Sequence, residues 1–524
     1  MKRRDFVKHT GHGLLLPGIL GSMGINPFGK SMLQAVLSNT VDTDHVLVLI
    51  YLNGGNDGLN TVIPMDKLSE LNAVRSQVVL PQSSILSLKG TELGLHPSLD
   101  VMSNLFSEKR LKIIQNVGYP EPNYSHFRST DIWMSASDSD KVVDTGWMGR
   151  YLNYEYPNYP EDYPNETMPD PLALEMGNLS SLMYQGPTGN MGLAINDPDN
   201  YYQLIDNKED NAPDTKAGRK LTYVRHIIRQ AQTYGKRLKE LSETGSNKVD
   251  YPEGNGLADQ LKVIARLIAG GSKTRVYMAI QGGYDTHDKQ VLSGNHAQGE
   301  HADLLRDLDS AIGAFLSDLE ANRVDDRVMG MTFSEFGRRI VSNASMGTDH
   351  GAAAPMFVFG NAVEGGVLGS NPDIRFGMTN EDNLPMEIDF RQVYASVLQQ
   401  WLCVEPDDSS SILLRDFDTL PIAPDSACMP SAVHEANVSA GANYIDIHPN
   451  PMNGMTTVDF LSNGNPLSID ILDAQGRIIR KVTQGKYPKG THKINVNTDK
   501  LPSGTYFFHL RSRGLNQAKQ VVKI

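Results

Sequence analysis

Four short stretches of this 524-residue chain set carboxylates and imidazoles next to apolar runs of strand length. NGGNDG holds Asn56 and Asp57, GGYDTHD holds Asp285, His287 and Asp288, SEFGRR holds Glu335 with Arg338 and Arg339, and TDHG holds Asp349 and His350. Oxygen and nitrogen donors on a rigid scaffold are what a divalent cation needs. Two such ions a few ångströms apart would clamp an oxyanion and activate a nucleophile. A fifth stretch, NYSHFRSTDIWMSA, places Ser125 beside His126, a hydroxyl with a neighbouring base. Arg338 or Arg339 would hold an anionic group, bidentate at best.

Each residue also has a plainer reading. NDG after two glycines is tight-turn chemistry, so Asp57 would only cap a loop. Glu335 would pair with Arg338 or Arg339, Asp349-His350-Gly351 would be a turn, and Ser125 would be a helix N-cap. The cap and the nucleophile are compatible, because a hydroxyl at a helix N-terminus gains amide donors for an anion. Recurrence of the same residue types at several strand ends favours the ligand reading.

The elements that must position these groups follow from the apolar pattern. VLVLIYL after His45 is a continuous run broken by glycines, as in strands buried on both faces of a parallel sheet. Similar runs occupy 110–118, 274–283, 327–335 and 355–363, and amphipathic helical stretches such as 301–323 and 390–402 lie between them. Strands alternating with helices predict an α/β core with a mainly parallel sheet. In such sheets ligands bind beyond the carboxyl ends of the strands, where the polar stretches fall.

Three regions differ in texture. Residues 152–215, rich in Pro, Asp and Tyr, read as an insertion, a surface excursion from the core. Residues 404–438 read as a linker. From 439 to 524, apolar and polar positions alternate between Gly, Asn and Pro turns, which predicts a small antiparallel β-sandwich. Net charge is −13, which argues against nucleic-acid binding. The two cysteines, Cys403 and Cys428, exclude a disulfide scaffold and are either one pair or two free thiols. The start, MKRRDFVKHTGHGLLLPGILGSMG, joins Arg3 and Arg4 to a short apolar stretch too polar for a stable transmembrane span. It resembles a twin-arginine export signal, and 1–42 is expected to engage that translocase.

The ordered set HPNPMNG, DAQGR, LPSGTYFFHL and the basic end KQVVKI resembles the C-terminal sorting domain of the type IX secretion system of Bacteroidetes-type bacteria. That implies passage through the periplasm to the cell surface or medium. LVLIYLNGGNDGLNTVIP, NYSHFRSTDIW, GGYDTHDKQ, FSEFGRR and GTDHG together resemble the bacterial family called domain of unknown function 1501. That family is similar in turn to the alkaline phosphatase and sulfatase superfamily. The resemblance implies an alkaline-phosphatase-like α/β domain over 43–403, up to two divalent ions (Zn, Mn, Mg or Ca) and a small anionic ester as substrate. Asp57, Asp285, His287, Glu335 and His350 then match the metal ligands, and Ser125 the nucleophile. Phe336 and Gly337 stand where a ligand His would follow, which counts against a second ion. No Cys or Ser stands in a C/S-x-P-x-R signature, so formylglycine chemistry is not expected. The expectation is an exported metal-dependent hydrolase of phosphate or sulfate esters; the alternative is a secreted surface or binding protein that keeps the fold without catalysis.

Overall fold

The computed structural model describes residues 43–160, 162–196, 233–428, 445–462, 466–473, 478–488, 490–512 and 515–523. The export signal expected over 1–42 lies outside them. Strand β1 (Val46–Leu52) is the VLVLIYL run, and every residue of it is buried. Its side chains alternate between two cores: Leu47, Leu49 and Tyr51 enter one, and Val46, Val48, Ile50 and Leu52 enter the other. A strand covered on both faces has no polar side to show, which is why the run reads as unbroken. Each fully buried Leu or Ile contributes about 1.5–3 kcal/mol.

Besides a small sheet of Val62–Pro64, Leu86–Ser87 and Leu93–Leu95, the core unit has strands β2 (Leu111–Gly118), β3 (Ala173–Met176), β4 (Gly192–Ile195), β5 (Val276–Gln281), β6 (Val328–Phe333), β7 (Arg338–Ser342), β8 (Thr348–His350), β9 (Ala354–Phe359), β10 (Gly366–Leu368) and β11 (Ile388–Asp389). The central sheet runs β10-β2-β9-β6-β1-β5-β3-β4, with β11 also beside β2. It is mainly parallel, as the sequence predicts, with one reversal: β9 lies antiparallel to both β2 and β6. β7 and β8 form a separate antiparallel ribbon. Helices α1 (His126–Ser135), α2 (Trp147–Glu155) and α5 (Phe390–Ser396) cover the first core. Helices α3 (Gly256–Ala269) and α4 (Glu300–Asn322) cover the second, and α4 buries Leu305, Leu308, Ile312, Phe315, Leu316 and Leu319 there.

Two boundaries need correction. Residues 152–215 were expected as a surface excursion, yet their described part supplies β3 and β4, which extend the sheet in parallel with β5. The runs ALEM and GLAI, four residues each, are too short to stand out among prolines. Residues 404–438 were expected as a linker, yet Val404, Ile412, Leu413, Ile422 and Ala423 are buried in the first core. A helix over Pro406–Leu413 and a Cys403–Cys428 disulfide hold this segment. The core unit accordingly includes the described part of this segment, through Cys428, and 429–438 lie outside the described residues.

The C-terminal unit is separate. Strands Ile445–His448, Met455–Ser462 and Gly490–Asn497 make one antiparallel sheet; Ile478–Lys486, Pro466–Asp473, Gly504–Ser512 and Leu515–Lys523 make another. Val458, Phe460, Ile469, Ile471, Phe508 and Leu510 meet in a core between them. This is the expected small sandwich.

Candidate metal centre

The polar stretches gather at one edge because of strand direction. β1, β5 and β6 run parallel and end in NGGNDG, GGYDTHD and SEFGRR. β9 runs the other way, so its beginning lies at that same edge, and β8 delivers His350 just before it. β2 also ends there, Val117 opposite Ala354, and the loop after it leads to His126 at the first position of α1.

Arg338 ties these ends together. Its side chain is 0 % exposed, and its guanidinium donates to the carbonyls of Gly55 (2.6 Å), Thr348 (2.7 Å), Tyr284 (2.9 Å) and Gly54, and to Asp285 Oδ1 (2.7 Å). Burial of a cation is tolerated only with such full pairing. Glu335, 0 % exposed, accepts from the Gly54 N–H with both oxygens, at 3.0 and 3.2 Å.

Four side chains meet above this frame. Asp285 Oδ1 lies 3.1 Å from His350 Nε2 and 3.1 Å from His287 Nε2, and these two nitrogens are 2.9 Å apart. Asp285 Oδ2 lies 3.4 Å from His126 Nε2. One donor atom from each of His126, Asp285 and His350 fits within 4.8 Å of the others. The side chains are 21–48 % exposed, so solutes reach them.

The other ring nitrogens fix the tautomers. His350 Nδ1 is 2.8 Å from the Tyr124 carbonyl oxygen, His287 Nδ1 is 3.0 Å from Asp349 Oδ1, and His126 Nδ1 is 2.8 Å from Glu335 Oε1. These partners only accept, so each Nδ1 carries a proton, and in the neutral form of each ring Nε2 presents its lone pair toward Asp285. Burial pushes the Asp285 carboxyl up, but the bond from the buried Arg338 guanidinium outweighs it and holds it at about 2. Burial lowers the His350 imidazole below its usual value, against the Tyr124 bond. With the rings neutral, lone pairs and a carboxylate face one another at contact distance. Imidazoles whose far nitrogen is held by a carboxylate or carbonyl are the form in which histidines bind metals.

The structure thus brings Asp285, His287 and His350 together. His126, expected as the base for Ser125, instead points its Nε2 at Asp285. Glu335, expected as a ligand, stands behind His126 as its hydrogen-bond partner. Asp57 is not among the donors that meet there: buried at 1 % exposure, it gives Oδ2 to Arg75 and Gln290, while its Oδ1 has no partner. Burial raises its carboxyl and Arg75 brings it below the usual range, which keeps it an internal anion. Arg338, expected to hold a substrate anion, has its donors committed to the fold. Ser125 occupies the N-cap position of α1, is exposed, and makes no side-chain cap bond. Asp349 was visible beside His350, whereas the Tyr124 carbonyl has no sequence signal at all.

Residues 229–412 match the family described as protein of unknown function (DUF1501), and 446–524 match the secretion system C-terminal sorting domain. Residues 229–412 thus resemble DUF1501, and residues 446–524 resemble a secretion-sorting tail. The DUF1501 region contains GGYDTHD, SEFGRR and TDHG, while NGGNDG and NYSHFRSTDIW precede it. The tail is of the type IX kind and marks the protein for the cell surface or the medium. No curated protein matches the chain. Among solved structures, the chain is similar to a protein in the alkaline phosphatase superfamily from Vibrio parahaemolyticus, at 10% identity over 86% of this chain and 82% of that one, TM-score 0.29. It is also similar to the PsFucS1 sulfatase from Pseudoalteromonas sp., at 10% identity over 90% and 88%, TM-score 0.31. A third is the alkaline phosphatase from the Antarctic bacterium TAB5, at 12% identity over 61% and 93%, TM-score 0.25. Likenesses this slight leave the chemistry of the DUF1501 region to be judged on its own atoms. Among the described residues, no helix is long and apolar enough to cross a membrane.

Proposed function

We propose that the core is a metal-dependent hydrolase of phosphate or sulfate esters that acts outside the cell. The observation that carries this reading is the convergence of three imidazole Nε2 atoms on Asp285, each ring held at Nδ1 by an acceptor. His126, Asp285 and His350 would hold a divalent cation, with His287 beside them; a nitrogen-rich set of this kind suits Zn or Mn better than Mg or Ca. When bound, the ion supplies a Lewis acid for the ester oxygen.

This chain's residues supply the remainder. Glu335, Asp349 and the Tyr124 carbonyl keep the rings oriented. Ser125, exposed and adjacent to His126, is the hydroxyl assigned to attack, and the uncapped first turn of α1 leaves amides for an anion. Arg339, which donates its Nε–H to the His350 carbonyl and lies over the Tyr124 ring beside the centre, replaces Arg338 as the side chain assigned to the anionic group.

The test is direct. Full-length protein is stripped, reloaded with Zn, Mn, Mg or Ca, and assayed on aryl phosphates and aryl sulfates. Turnover is expected with at least one ion, abolished in His350→Ala and reduced at least about 100-fold in Ser125→Ala at unchanged circular dichroism. Failure to bind any of the four ions sinks the reading. The commitment of Arg338 and Asp57 to the fold favours a second reading, a cation-loaded surface protein without catalysis, for which metal binds and no ester turns over. Export of the N-terminus through the twin-arginine translocase is part of the same proposal and is checked by Arg3→Lys, Arg4→Lys retention in the cytoplasm.

A further inference from the structure

The geometry points to a single cation in this centre, with Arg338 and Phe336 holding the ground beside Asp285 that a second ion would need. This rests on the cation reading above and decides how many ions the site takes. Three separate observations converge on it.

The first is electrostatic. Arg338 Nη2 donates to Asp285 Oδ1 at 2.7 Å from a guanidinium that is 0 % exposed and anchored on four carbonyls. A fixed positive charge therefore already neutralises one side of the carboxylate that two ions would have to share. A divalent ion placed there would meet a guanidinium that is anchored on four carbonyls and cannot swing away.

The second is steric. The Phe336 ring is 1 % exposed and lies 4.5 Å from the His350 ring and 4.9 Å from the His126 ring. Its seat depends on Gly55, at φ +82°, where an added Cβ would fall 2.4 Å from the phenyl ring. The residue after Glu335 thus walls the centre with carbon, which offers no donor atom.

The third is the donor count. Of the carboxylates expected as ligands, Glu335 is used by the Gly54 N–H and His126 Nδ1, and Asp57 by Arg75 and Gln290. An ion on the Asp57 Oδ1, which has no partner, would share one carboxylate with the fully buried Arg75 guanidinium, whose charge opposes it.

The experiment uses the stripped full-length protein titrated with Mn2+ alone. Elemental analysis gives the bound ions per chain, and electron paramagnetic resonance tells isolated Mn2+ from a pair a few ångströms apart. The expected result is uncoupled Mn2+ whose binding falls at least tenfold in His350→Ala and is unchanged in Asp57→Asn. A spin-coupled pair, or loss of bound Mn2+ in Asp57→Asn at unchanged circular dichroism, would overturn the single-ion assignment while leaving the cation site standing. No Mn2+ retained by the wild-type chain would overturn both.

Discussion

His287 Nε2 and His350 Nε2 stand 2.9 Å apart, and because acceptors hold both Nδ1 atoms, neutral rings bring no proton to the gap between them. Asp285 Oδ1 touches both nitrogens at 3.1 Å. Such a meeting of acceptors is stable only when a proton or a cation enters it, and the rest of the centre is built around that requirement. Buried Arg338 fixes Asp285 from below, while each ring is pinned from behind by a different segment of chain.

The pinning makes Glu335→Gln informative. The carboxylate accepts from His126 Nδ1 at 2.8 Å, so an amide there sets the ring less firmly and weakens the donor strength of Nε2. Loss of a carboxylate behind a metal-bound histidine costs about 10–100-fold in affinity. Calorimetric titration of Zn2+ into Glu335→Gln should show that loss with native circular dichroism. An unchanged dissociation constant would remove His126 from the ligand set.

Arg75 and Asp57 form a buried pair apart from this exposed centre, at 0 % and 1 % side-chain exposure. Arg75→Met would leave the Asp57 carboxylate charged among buried groups, and removal of one partner from a buried pair costs about 3–5 kcal/mol. Urea unfolding should report a loss of that order. Arg75→Met combined with Asp57→Asn should recover much of it, because the stranded charge is gone. A double variant no more stable than Arg75→Met alone would show that the loss comes from packing.

These two residues also show how much of the site the sequence exposes. Its address at the carboxyl edge was legible, because polar stretches followed each unbroken apolar run and parallel strands place their ends together. Roles were not. Asp57 and Asp285 look alike after their glycines, and what separates them is a guanidinium: Arg75 buries one, while Arg338 holds the other at the surface. Arg338 and Arg339 are neighbours with opposite fates for the same reason, since a strand turns successive side chains to opposite faces. Contacts made through a backbone carbonyl, as between Tyr124 and His350, leave no trace in residue type. The reversal of β9 was equally hidden, because an antiparallel strand buried on both faces is as apolar as a parallel one.

Glu175, on β3, should give the fold a pH dependence. It is 1 % exposed, and burial pushes its carboxyl up to about 7 despite a 2.7 Å bond from the Ser181 N–H. The unfolded chain releases this proton near the ordinary carboxylate value of about 4.3. Between those limits the folded state binds more protons than the unfolded state, so stability falls as pH rises through the window and levels off above it. The shift corresponds to about 4 kcal/mol at most. Glu175→Gln keeps an acceptor for Ser181 and has no charge to bury. Its urea midpoint should exceed that of the wild type at pH 8 and match it near pH 4.5; parallel curves across that range would refute the assignment.

Gly55 and Gly90 allow the fit of Phe336 to be measured against a control. Both have left-handed φ, +82° and +83°, so alanine at either position pays the same backbone strain of about 1–2 kcal/mol. At Gly90 a new Cβ meets nothing within 4 Å, whereas at Gly55 it falls 2.4 Å from the Phe336 ring. Gly55→Ala should therefore cost about 1–3 kcal/mol more than Gly90→Ala, the ordinary penalty for overpacking. It should also weaken Zn2+ binding, because the displaced ring packs against His126 and His350. Combining Gly55→Ala with Phe336→Leu gives the new methyl room and should recover part of the stability. Equal costs at the two glycines would mean that Phe336 moves aside freely and does not shape the centre.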